Sequence, residues 1–97
     1  MTIALIFKAQ AQQDIIDAAK WYETQRSGLG EEFLHAVLKE SDHIRVYPFA
    51  YPKKYKDIRE LVMKKFPYLI LYRIEEDLVY VHAIFNSHQN PGKKRTQ

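Results

Sequence analysis

Cysteine is absent from this chain of 97 residues, which excludes a disulfide framework, a thiolate metal site and a cysteine nucleophile. That absence fits a reducing compartment, and the expected location is the cytoplasm. Glycine is nearly as scarce: two of the three stand in Gly28-Leu29-Gly30, an isolated turn, so neither a phosphate-cradling loop nor a nucleophile elbow is present. Long hydrophobic runs are missing too. Ile3 to Phe7 is apolar for only five residues, with no positive region before it and no cleavage site after it, so it does not read as a secretory signal. Nothing approaches the ~20 apolar residues of a membrane span. The four histidines, His35, His43, His82 and His88, lack ligand spacing, and neither metal nor cofactor is expected.

What is present is a chain of one domain's length, with one modest core. A hydrophobic content of 46% beside 28% charged residues separates it from disordered chains. The net charge of +3 is unevenly placed: residues 1–50 carry five Lys/Arg against seven Asp/Glu, and residues 51–97 ten against five. An acidic half followed by a basic half suggests that the second half faces something negative, or else that lysines guard a sheet edge. The basic character concentrates from Tyr47 to Tyr72, where six cations between 53 and 65 are interleaved with aromatic residues. Such alternation suits a polyanion, or a partner that holds one.

Periodicity places the elements. Ile3–Phe7 is rich in β-formers and reads as a strand. From Gln10 to about Arg26, Ala11, Ile15, Ala18, Ala19 and Tyr22 recur at helical spacing, with Asp14 and Asp17 towards the positive end. Gly28-Leu29-Gly30 turns the chain, and a second helix runs from about Gly30 to Val46 on the stripe Phe33, Val37 and Ile44. Tyr47-Pro48 stops it, and Pro52 keeps an extended loop. The period then becomes two. Ile58–Phe66 puts Arg59, Leu61, Met63 and Lys65 on one side; Tyr68–Glu75 follows; Glu76-Asp77 turns into Leu78–Phe85. In that last strand Val79, Val81, Ala83 and Phe85 are expected to pack on the helices, leaving Leu78, Tyr80, His82 and Ile84 outward. The order β-α-α-β-β-β gives an α+β fold, a helical hairpin packed on a mostly antiparallel sheet. The first strand should lie at an edge or beside the last. Residues 1–90 are expected to form the domain, and 91–97 a basic, flexible tail with Lys93 and Lys94.

With metal, thiolate and phosphate-loop chemistry removed, one catalytic class is left open: metal-independent RNA cleavage. It needs a base, an acid and cations on the phosphate. His82 and Tyr80 with Arg59, Lys64, Lys65 and Arg73 supply the residue types. The same residues describe more readily a half-buried strand histidine among solvating cations, and Trp21 and Tyr22 describe core or partner contacts.

The pattern AxxDIxxAxxWYExQxxGLGxxF, here Ala11 to Phe33, resembles the first half of ParE-type toxins of bacterial type II toxin–antitoxin systems, within the RelE/ParE superfamily. The second half agrees: a YPxxY loop at Tyr51–Tyr55, IRE at 58–60, KKFPYLILYRIEED at 64–77 and VYVHAIFNSHQNP at 79–91. The resemblance spans about nine tenths of the chain. It implies the fold reached above and an antitoxin whose C-terminal segment wraps the toxin. It also implies one of two activities, DNA gyrase inhibition (ParE-like) or ribosome-dependent mRNA cleavage (RelE-like). Nucleases resembling this chain carry arginines where it has Leu69 and His88-Gln89, which favours the gyrase branch. Many ParE-like relatives have an arginine after the last strand that is missing here, so an inactive homologue acting as a binding partner is a further alternative. On this reading Arg59, Lys64, Lys65, Arg73, Lys93 and Lys94 contact the target or its DNA, Trp21 and Tyr22 help seat the antitoxin, and the free toxin is a possible homodimer.

Overall fold

The computed structural model describes residues 3–87. Along the chain run β1 (Ala4–Phe7), α1 (Ala9–Gln25), α2 (Leu29–Val46), β2 (Lys53–Tyr55), β3 (Ile58–Val62), β4 (Tyr68–Glu75) and β5 (Leu78–Asn86). The five strands form one sheet in the order β1-β5-β4-β3-β2. All neighbours are antiparallel except β1, which runs parallel to β5 with Ala4 opposite Leu78 and Phe7 opposite Val81. The α+β class and the edge position of β1 are as expected. The sheet has one strand more than expected, because the segment after Pro52 pairs with β3 instead of staying a loop. Its three residues are all exposed and two are lysines, the usual defence of a sheet edge.

The helices cover one face. Ala11, Ala18, Phe33, Val37 and Ile44 meet Leu61, Met63, Ile70, Tyr72, Val79, Val81 and Ile84 from the sheet. Phe33, Ile44, Ile70, Val79 and Val81 are fully buried, each contributing about 1.5–3 kcal/mol by leaving water. Tyr22 stacks on Phe33 at 5.4 Å and meets Phe66 edge-on at 4.9 Å, and Tyr68 closes this aromatic cluster at 5.0 Å from Phe33.

The hairpin between α1 and α2 accounts for the Trp21-Tyr22-Glu23 and Gly28-Leu29-Gly30 pair. Gly28, the N-cap of α2, has φ 89°, a left-handed conformation that glycine adopts without penalty. The Glu23 carboxylate accepts the backbone N–H groups of Gly28 and Gly30, each at 3.0 Å, so α1 caps the start of α2. These bonds hold the Glu23 carboxyl below its ordinary range. Gly30 lets the helices touch, since a Cβ there would lie 2.6 Å from the Ala19 carbonyl oxygen.

One expectation about faces fails. Leu71 is opposite Ala83 but Tyr72 is opposite Val81, so β5 carries an extra residue at His82. This bulge reverses the strand's parity. Val79 and Val81 are buried as expected. Beyond the bulge it is Ile84, 3% exposed, that enters the core, while Ala83 and Phe85 are only half-buried. Among the described residues no helix is long and apolar enough to cross a membrane.

Candidate functional site

The face of the sheet away from the helices gathers three of the six residues considered for nuclease chemistry, Tyr80, His82 and Arg73. Tyr80 stands opposite Arg73 in register. The Lys8 ammonium lies 5.5 Å from the Tyr80 ring centre, and Arg73 pairs with Glu75 at 3.3 Å. His82 joins this group from the bulge. Burial holds its imidazole below the ordinary 6.5, and the positive charges of Arg73 and Lys8 add to the effect against Glu75. It is therefore neutral at pH 7. Arg73 Nε and His82 Nε2 are both buried without a hydrogen-bond partner. These are buried polar atoms left without partners, a cost the cluster carries.

Arg59 is not there. It pairs with Tyr72 on the helix side of the sheet. Its Nη1 donates to the carbonyls of Tyr51 at 2.6 Å and Phe49 at 3.4 Å, and its guanidinium lies 5.3 Å from the Phe49 ring. Arg59 is thus a support for the loop after α2, separated by the sheet from His82 and Tyr80. Lys64 and Lys65 occupy a third place, the connection between β3 and β4. They flank a groove of about 280 Å³ along α2 with Glu32, His35, Glu40 and His43. Lys65 pairs there with Glu32 at 3.7 Å, and the Lys64 backbone N–H donates to Glu40 at 3.0 Å. Arg73, Arg59 and the Lys64–Lys65 pair therefore stand in three separate places. Lys93 and Lys94 lie outside the described residues, as do His88 and Gln89.

The structure also divides Trp21 from Tyr22. Tyr22 belongs to the aromatic cluster and offers little surface. Trp21, 56% exposed, packs edge-on against Tyr22 at 5.0 Å. It lines a groove of about 630 Å³ between α1 and the far end of β5, with Asp14, Tyr68, Ile84 and Phe85. The groove exists because β1 stops pairing at Val81. Beyond that point Asp14 reaches across from α1 and accepts the Ile84 N–H at 3.0 Å. Sequence reasoning assigned Asp14 to the helix dipole and did not find this role, which depends on a contact seventy residues away in the chain. Lys8 was missed as well. Among the described residues no group of three or more His, Asp or Glu side chains is placed to hold a metal ion.

A family model described as the ParE toxin of type II toxin–antitoxin system, parDE, matches residues 5–91. Among solved structures the chain resembles one titled "Chromosomal ParDE TA system from P. aeruginosa". The TM-score is 0.67 at 15% identity, over 88% of this chain and 96% of that one, a likeness of fold. No curated protein matches the chain.

Proposed function

Because this chain belongs to the ParE toxin family of type II toxin–antitoxin systems, we propose that it arrests growth by poisoning DNA gyrase and that a cognate antitoxin silences it. The observation that carries the choice of target is an apolar residue, Leu69, in the strand that also presents Arg73 to Tyr80, at a place where a nuclease would need a further cation; Arg59, across the sheet, does not supply it. A phosphoryl transition state needs its cations and its acid and base around one phosphate; losing a single such donor costs about 10²–10³ in rate. Leu69, where RNA-cleaving relatives carry an arginine, stands in register between Val62 and Phe85, an apolar strip in place of a cation. The outer sheet face, with Arg73, Tyr80 and His82, is then a contact surface for the target.

The groove between α1 and β5 suits an extended antitoxin segment. It has on one side the part of β5 past the end of β1, on the other an exposed indole, and the carboxylate of Asp14 between. Trp21→Ala should weaken antitoxin capture and restore toxicity in the presence of the antitoxin.

Induced expression of the chain alone in a bacterium, with chromosome integrity and mRNA integrity followed together, tests the main reading. Filamentation with broken DNA and intact mRNA is expected. Codon-phased mRNA cuts would overturn it in favour of ribosome-dependent cleavage. Normal growth would leave an inactive homologue that only binds its partner.

A further inference from the structure

Tyr47, Phe49 and Tyr55 are 63%, 70% and 67% exposed. Three large rings presented to water within nine residues call for an occupant. They are interleaved with Lys53, Lys54, Lys56 and Arg59, against Asp57 alone in the same stretch. The structure adds three facts. The rings and cations adjoin one another: Arg59 lies against Phe49, Lys53 is opposite Arg59 in the β2–β3 pairing, and Lys56 stands 5.4 Å from the Tyr55 ring. The frame beneath them is fixed. Tyr72 Oη donates to the Pro48 carbonyl at 2.6 Å, Arg59 to that of Tyr51 at 2.6 Å, and the Glu60 N–H to that of Pro52 at 3.0 Å. The remaining positive charge is available: Lys54 is paired with Glu60 at 3.8 Å, whereas among the described residues neither Lys53 nor Lys56 is paired with a carboxylate.

We propose that this platform, Phe49 and Tyr55 with Lys53 and Lys56, binds single-stranded nucleic acid, with bases stacked on the rings and phosphates against the two ammonium groups. The argument from chemistry is that an apolar protein partner would need contiguous apolar surface. Here a cation stands beside each of the two rings, Arg59 against Phe49 and Lys56 by Tyr55, a pattern matching a chain that alternates aromatic bases with negative charges. A duplex satisfies the cations but keeps its base faces stacked inside, out of reach of the rings. Pre-ordering of the loop removes part of the entropy loss on binding. The site lies at the β2 edge, away from both the outer-face cluster and the α1–β5 groove, and does not depend on gyrase being the target.

The test is fluorescence anisotropy with the purified full chain and a labelled dodecamer of thymidine, its RNA counterpart and a duplex of the same length. Single strands should bind more tightly than the duplex. Phe49→Ala and Tyr55→Ala should each weaken binding by about 5- to 150-fold, the loss of one stacked base. Lys53→Gln with Lys56→Gln should reduce the slope of log K against log salt by about 1.4, two phosphate contacts on a single strand. Lys20→Glu, on the exposed side of α1, is the charge control, and circular dichroism melts of each variant separate misfolding from lost contact. Three outcomes would each overturn the proposal. One is equal affinity for duplex and single strand; another is affinity unchanged in both ring variants. The third is no oligonucleotide binding at all while the ring variants lose a protein partner, which would make the platform a protein contact.

Discussion

Replacing Gly30 by alanine sets two effects against each other. Within a helix, alanine is favoured over glycine by about 1 kcal/mol. Against that, the new Cβ would sit 2.6 Å from the Ala19 carbonyl oxygen and 3.0 Å from Glu23 Oε1. Ordinary contact begins near 3.4 Å, so α1 and α2 must part by about 0.8 Å at their closest point. The carbonyl belongs to a helix and cannot rotate away. Moving the helix disturbs Phe33 and Val37, both buried against the sheet, and overpacking of this kind costs about 1–3 kcal/mol. Because the 2.6 Å clash is with backbone, the cost falls in the upper part of that range, about 2–3 kcal/mol. After the helix preference of about 1 kcal/mol, the net is a destabilisation of roughly 1–2 kcal/mol, or a fall in Tm of roughly 5–15 °C for a domain of this size. Urea melts at constant m-value measure it. Gly28 gives the contrast, because a Cβ there meets nothing and only its φ of 89° resists substitution. Asparagine, which tolerates that conformation, should be accepted at Gly28 and rejected at Gly30. A Gly30→Ala protein as stable as the parent would refute the reasoning, since the helix preference would then be acting without steric opposition.

Tyr72→Phe removes the phenol that donates to Pro48, a buried group whose ionisation is pushed up to about 12 by desolvation. It should cost about 1–2 kcal/mol, and hydrogen exchange should quicken in the loop of residues 47–52; unchanged exchange there would show that Arg59 alone fixes it. His82 gives a pH dependence of definite sign. Its folded-state value is below 6.5, so as pH falls through 6.5 the unfolded chain takes up this proton first. The stability present above that pH is lost progressively below it. His82→Gln should make the difference in unfolding free energy between pH 7.5 and pH 5.5 smaller than in the parent, and an unchanged difference would assign the acid sensitivity elsewhere.

The architecture was readable where one period governs a whole element. Phe33, Val37 and Ile44 on α2, and Leu61 and Met63 towards β3, lie where the spacing puts them. β2 was not readable: three exposed residues, two of them lysines, show no alternation, and only pairing to β3 makes them a strand. The bulge at His82 carries neither glycine nor proline to mark it, and a count by twos runs through it onto the wrong face. Arg59 differs, because alternation groups it with Leu61 and Met63, the buried side. Grouping it with outward cations followed its charge instead of its position. The most specific motif, Glu23 with Gly28 and Gly30, turns out to build the hairpin, which is why it identified the fold more firmly than any site. Phe49 stood in view inside YPFAYP, but the loop geometry that exposes it depends on Tyr72, two strands away.

The parallel pairing of β1 with β5 also sets an order of events. Ala4 and Leu78 are 74 positions apart (78 − 4), so β1 must wait for the last described strand before it gains a neighbour. At about 5–20 residues per second on the ribosome, that wait lasts roughly 4–15 s. The helical hairpin and the β3–β4 hairpin need only nearby contacts and can assemble during it, whereas the sheet cannot close. Until β5 emerges, its places beside β4, against β1 and under α1 stand empty together. For those seconds of its synthesis the nascent chain has no outer-face cluster and no α1–β5 groove, and both come into being at the same step.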